Sequence, residues 1–154
     1  LLAEYNQTQP YTYGHRTILQ NYSHMNQSLA HPLGANFKEI VVITDYKKDR
    51  WNFRLKITSA QIGLDSLKTH YGQNIFASDY FASTGGQASY GNFNGQGVLT
   101  TINTLQTEVV YSLKAIDLFA LIHYRTKKSD LIDQTFLWYS LGLRTFPFSV
   151  FTDY

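Results

Sequence analysis

From Thr104 to Leu113 the chain alternates in chemistry: Leu105, Thr107, Val109, Tyr111 and Leu113 fall on one side, and Thr104, Gln106, Glu108 and Ser112 on the other. Successive side chains of a β-strand point to opposite faces, so an alternation this long specifies a strand with one apolar and one wet face. Trp51, Phe53, Leu55 and Ile57 repeat the split against Asn52, Arg54, Lys56 and Thr58. Helical spacing is nowhere sustained beyond about two turns. The pattern predicts an all-β chain with strands at Leu2 to Thr8, Lys38 to Tyr46, Arg50 to Leu64, Val98 to Leu113, Asp117 to Thr126 and Gln134 to Phe146. Globular strands usually run to about five or six residues, whereas a tilted strand that crosses a bilayer needs about 9–11, and most of these have that length.

The connections follow the same logic. Outer-membrane barrels have short periplasmic turns and longer outer loops, and their last strand descends toward the periplasm. Counting back from that strand makes Lys127 to Asp133 an outer loop, Lys114 to Ile116 a periplasmic turn and Asp65 to Gly97 a long outer loop. Lys47 to Asp49 is then a periplasmic turn and Gln9 to Phe37 a second long outer loop. Both long connections fall on one side and both tight turns on the other. The expected fold is an antiparallel transmembrane outer-membrane β-barrel. Since single-chain barrels start at about eight strands, residues 1–154 are expected to be one C-terminal segment of about six strands. The aromatic end, from Phe146 to Tyr154, resembles the terminal signal read by barrel-assembly machinery.

Composition agrees. Aromatic residues make up 16% of the chain, with 12 Tyr, 10 Phe and 2 Trp, and charged residues only 16%, against about 25% in soluble domains. A net charge of +2 with scattered basic residues gives no phosphate-tracking stripe, so nucleic acid is not an expected partner. Cysteine is absent, which excludes disulfides and thiolate metal sites. Apolar runs such as Ile40 to Ile43 are far shorter than the 18 or so residues of a membrane helix, so any crossing must use strands. Leu1 to Asn6 carries no signal-like segment and no initiator Met, which suggests a removed signal or an excerpt of a longer chain.

Two segments add a resemblance: Pro10-Tyr11-Thr12-Tyr13-Gly14-His15, and Asn21 to Phe37 with Gln27-Ser28-Leu29-Ala30-His31-Pro32-Leu33-Gly34-Ala35-Asn36-Phe37 at its end. The pattern resembles the capsule-assembly Wzi family, and especially its relatives named for the gliding-motility protein RemB. There a PYTYSH-like string precedes a QPLAHPLGANF-like one. Gly14 stands where that family has Ser, Gln9 where Arg often precedes the Pro, and Ser28 where Pro is usual. The match is close over about the first quarter of the chain and one of pattern beyond it. The resemblance implies a non-enzymatic barrel in the cell outer membrane, acting in surface polysaccharide (capsule) attachment or assembly, or in gliding motility. Its implied partners are outer-membrane lipid, surface polysaccharide and other outer-membrane motility or secretion proteins. A porin-like channel and a soluble all-β carbohydrate-binding module are the alternatives.

Several constellations bear on function. Tyr11, Tyr13 and His15 alternate along a segment read as extended, and with His31 they are the candidate glycan contacts, because aromatic rings with polar edges stack and hydrogen-bond on sugars. Their competing reading is an aromatic belt or loop packing. His15, His24 and His31 stand nine and seven residues apart, which matches no compact ligand motif; no metal and no cofactor are expected, and Pro32 and Gly34 suggest a turn in which His31 satisfies backbone groups. The Gly91 to Gly97 stretch lacks the Lys-Ser/Thr ending of a phosphate loop. His123 and Ser140 are the one adjacent-strand pair available to a hydrolase, and no catalytic residues are expected. Sequons begin at Asn6, Asn21 and Asn26 and are read as coincidence. Arg54, Lys56, Glu108, Arg125 and Arg144 are assigned to the lumen, because a charge facing lipid at mid-bilayer costs about 2–4 kcal/mol.

Overall fold

The computed structural model describes residues 1–25, 27–66, 70–81, 90–113 and 116–145. Strand makes up 61% of it, with single 3-10 turns at Ile18–Gln20 and Asp79–Phe81, so the chain is all-β. In chain order the strands are β1 (Leu2–Thr8), β2 (Ser23–His24), β3 (Gln27–Ser28), β4 (Phe37–Lys48), β5 (Trp51–Leu64), β6 (Val98–Ser112), β7 (Ile116–Lys128) and β8 (Asp133–Thr145). The long strands form one antiparallel six-stranded sheet in the order β1-β4-β5-β6-β7-β8. Each therefore pairs with its neighbour along the chain, an up-and-down meander. β2 and β3 form a small separate ladder within the first loop. Among the described residues β1 and β8 each have one neighbour, so the sheet is open rather than a closed barrel.

Strand positions follow the alternation closely, with small extensions. β4 continues to Lys48, which pairs with Trp51, so the expected turn contracts to Asp49 and Arg50, with Asp49 in the left-handed region at φ +51°. That conformation suits Asp, whose short polar side chain tolerates it. β7 continues to Lys128 and β8 starts at Asp133, leaving a tight hairpin closed by Ser129 and Ile132, which exchange backbone hydrogen bonds of 2.7 and 3.3 Å. Both long connections leave the same end of the sheet, as parity requires. Phe146 and the aromatic terminus lie outside the described residues.

The register carries each alternation across the sheet. Trp51 faces Tyr111, which faces Leu118, which faces Leu143. Phe53, Val109, Ala120 and Leu141 form the next row, and Ile57, Leu105, Tyr124 and Leu137 one further along. From the Trp51 row to the Ile57 row the apolar band runs about 20 Å along the strands. Beyond the Ile57 row the same face turns polar: Ser59 faces Asn103 and bonds to it at 2.7 Å, and Asn103 faces Thr126. Rings gather at the turn end, with Trp51 stacked on Phe53 at 5.9 Å and tilted against Tyr111 at 4.7 Å.

The two faces are buried in the reverse of the usual sense. Leu105, Leu137 and Leu141 of the apolar face are 39%, 66% and 79% exposed. Phe37, Val41, Ala60, Ile62 and Thr100, on the face that carries the charges, are buried. What covers that second face at its loop end is a layer built from the two long loops.

Candidate functional site

Backbone-satisfying side chains build the loop layer. Asn36, fully buried and at φ +59°, donates through Nδ2 to the carbonyls of Gly63 (2.8 Å) and Gln96 (2.7 Å) and accepts from the Gly95 N–H at 2.9 Å. A Cβ on Gly63 would lie 2.2 Å from that Nδ2, so only glycine admits the clasp. Asn94 joins the same corner, donating to the Thr8 carbonyl at 2.6 Å and the Phe37 carbonyl at 2.9 Å. Asn21 donates to the carbonyls of Ile75 and Ala77 at 2.6 and 3.2 Å. Asp65 accepts from the Tyr71 and Asn74 N–H groups and contacts His70 Nδ1 at 3.3 Å. Burial disfavours its charge, but these hydrogen bonds outweigh burial and hold its carboxyl below the usual aspartate range.

The candidate glycan contacts take unequal places in this layer. Tyr11 and Tyr13 are only 7% and 8% exposed. Tyr11 turns the chain at φ +61°, donates from its hydroxyl to the His70 carbonyl and meets the His70 ring edge-on at 5.5 Å. The expectation of an extended segment is thus corrected: the chain bends at Tyr11, and both tyrosine rings pack inward. His15 is exposed. His31 stacks on Phe37 at 4.4 Å, and its Nδ1 accepts the Leu33 N–H at 3.2 Å. Nε2 is therefore the nitrogen that donates to Glu39, at 3.1 Å. The segment from residue 27 to 34, with Gln73 and Ile75, walls a cleft of about 470 Å³.

Arg54, Lys56, Glu108, Arg125 and Arg144 all share the face opposite the apolar band, by register. Three of them pair. Arg54 bonds to Asp45 directly across the strand at 2.6 Å, and Arg144 reaches over β7 to Glu108 at 3.1 Å. Arg144 also lies over the Phe119 ring at 5.2 Å. Lys56 and Arg125 make no ion pair among the described residues. Both line a pocket of about 300 Å³ whose floor spans β5, β6 and β7, with polar Thr58, Thr104, Gln106 and His123 and apolar Ala60 and Ile102; Glu39 of β4 and Leu33 of the loop layer complete it.

His123 faces Trp138, and Ser140 faces Leu121, so the two hydrolase candidates are diagonal on one face. No hydrogen bond joins them. Among the described residues no group of three His, Asp or Glu side chains is placed to hold a metal ion. Glu39, Asp45, Asn36 and Trp138 were not singled out by the sequence. Asp45 had a signal, since it falls on the same period as Ile43 and Lys47 and opposite Arg54. Set against known protein families, characterised proteins and solved structures, the chain matches none.

Proposed function

We propose that this chain is part of a non-enzymatic β-barrel of the bacterial outer membrane, with lipid against the apolar band and an aqueous lumen on the charged face. The observation that carries this is the burial pattern: large apolar side chains stay exposed all along one face, while the buried residues of the sheet lie at the loop end of the other face, which holds the charges. In water, so large an apolar surface needs a partner; in a bilayer, hydrocarbon supplies it and the strands satisfy their own backbone groups. A soluble carbohydrate-binding sandwich would instead bury Trp51, Phe53 and Leu55, which are exposed here. Closing the barrel takes further strands on the free edges of β1 and β8, since single-chain barrels begin at about eight.

On this reading the barrel works at the cell surface, and the resemblance of its first loop to the Wzi and RemB group points to surface polysaccharide or gliding motility. Lys56 and Arg125, which make no ion pair among the described residues, favour a porin-like channel as the second reading, and a planar-bilayer recording with no conductance steps would remove it. The two tryptophans test the barrel itself. Trp51 lies on the apolar face and Trp138 on the charged one. In vesicles of brominated phosphatidylcholine, Trp51→Phe should remove lipid-quenched fluorescence and Trp138→Phe should not. Equal quenching of both, or of neither, overturns the assignment of faces.

A further inference from the structure

The pocket on the charged face holds two cations, Lys56 and Arg125, against one carboxylate, Glu39. Its carboxylate, Glu39, already accepts from His31 Nε2 and from Asn6 Nδ2 at 3.3 Å, while Lys56 and Arg125 have no ion-pair partner among the described residues. Between the cations lie the groups that bind hydroxyls: Lys56 faces Gln106, which faces His123, and Thr58 faces Thr104, which faces Arg125. Each row then ends on an aromatic ring of β8. His123 faces Trp138, and Arg125 faces Phe136.

Those two rings are 62% and 56% exposed, and by register they stand on the face that carries the charges, outside the apolar band. Flat rings beside hydroxyl-binding groups suit the apolar face of a pyranose, and Arg offers a planar fork that matches a carboxylate. The pocket, at about 300 Å³, is at the lower end of ligand-site sizes of about 300–1,000 Å³. That suits one sugar unit of a longer chain.

We propose that this face carries a subsite for an acidic saccharide unit. Lys56 and Arg125 take the carboxylate, Gln106, Thr58, Thr104 and His123 meet hydroxyls, and Trp138 is the platform for the ring. The inference rests on the barrel reading only for where the pocket opens, and the two fail separately: lipid quenching tests the barrel, a titration tests the subsite.

The experiment is isothermal titration of the full-length protein in detergent with galacturonate oligomers, with neutral galactose oligomers of equal length and with inorganic phosphate. The acidic oligomer should bind, more weakly as salt rises, and the neutral one at least tenfold less tightly. Lys56→Gln and Arg125→Gln should each lower its affinity about tenfold. Lys38→Gln makes the same charge change on the opposite face and should leave affinity unchanged. Trp138→Ala should weaken the oligomer about three- to tenfold and leave phosphate untouched. Retained far-ultraviolet circular dichroism marks each variant as folded. Equal binding of the neutral oligomer, or no binding of the acidic one by the folded protein, overturns the proposal. Phosphate binding as tight as the oligomer, with Trp138→Ala silent, identifies a bare anion site and overturns the saccharide assignment.

Discussion

Asn36 adopts a left-handed backbone conformation at φ +59° with no exposed surface, and its side chain serves two carbonyls and one N–H from other segments. Alanine there leaves all three groups without their partner, one buried and two part-buried, and adds the left-handed penalty. Each unsatisfied group costs about 1–3 kcal/mol and the backbone about 1–2, with partial relief from entering water, so Asn36→Ala is expected to lose about 3 kcal/mol or more. Asn36→Gly keeps the backbone conformation at no strain and should recover about 1 kcal/mol of that. Urea midpoints of the folded protein in detergent measure both; identical values would mean that the backbone conformation contributes nothing. Asp65 gives the layer a pH dependence. Its carboxyl is held below the ordinary range, so the ionised form favours the folded state. That contribution is complete above about 3.9, the unfolded value, and is lost as pH falls through the lower folded value. Asp65→Asn should lower stability at neutral pH and flatten the acid limb of the urea midpoint against pH; an unchanged acid slope would show that Asp65 does not carry it.

At the level of elements, β7 and β8 are joined by an uneven fit. Phe119 faces Gly142, and a Cβ built there would lie 2.7 Å from two atoms of the ring. The ring thus covers the glycine, which otherwise offers its strand no side chain to pack. Gly142→Ala must push the ring aside and disturb its contact with Arg144, at an expected cost of about 1–3 kcal/mol typical of overpacking. In the double variant Phe119→Ala/Gly142→Ala the clash is gone, so the loss should fall below the sum of the single losses by about 0.5 kcal/mol or more. Strict additivity in urea midpoints would rule the contact out. Elements of this kind were legible in the sequence where period-two alternation was strong, as in Trp51 to Ile57 and Leu105 to Leu113, because a one-residue slip would exchange the two faces. Arg54, Lys56, Glu108, Arg125 and Arg144 share a face for the same reason. The loop layer was not legible. Its bonds join residues 27, 57 and 60 positions apart and leave no periodic trace, and the buried turn at Tyr11 reads in sequence like one more exposed aromatic. The unequal pairing of the cations was hidden too, since Arg54 found Asp45 across β4 while Lys56, two residues on, faces Ile43.

For the molecule as a whole, the deciding comparison is between neighbouring residues of β8. Leu141 is 79% exposed and stands on the apolar band between Tyr139 and Leu143; Ser140 points to the other face. If water bathes both faces, an Arg at so exposed a site changes stability by no more than about 0.5 kcal/mol. If hydrocarbon covers the band, the same change strips a guanidinium of its water and costs about 2–4 kcal/mol near the midplane. Strand length supports the second case, because β4 to β8 run to 12–15 residues, beyond the about 9–11 a tilted crossing needs. Leu141→Arg is therefore expected to lower folding stability in phosphatidylcholine vesicles by about 2–4 kcal/mol, read from reversible urea titrations of Trp fluorescence. Ser140→Arg, which adds the same charge on the face that carries the charges, should cost less than half as much. The difference between the two isolates the environment of the band from any general intolerance of β8 to bulk or charge. Equal, small effects would place water on both sides of the sheet and leave its apolar face as a surface for another protein.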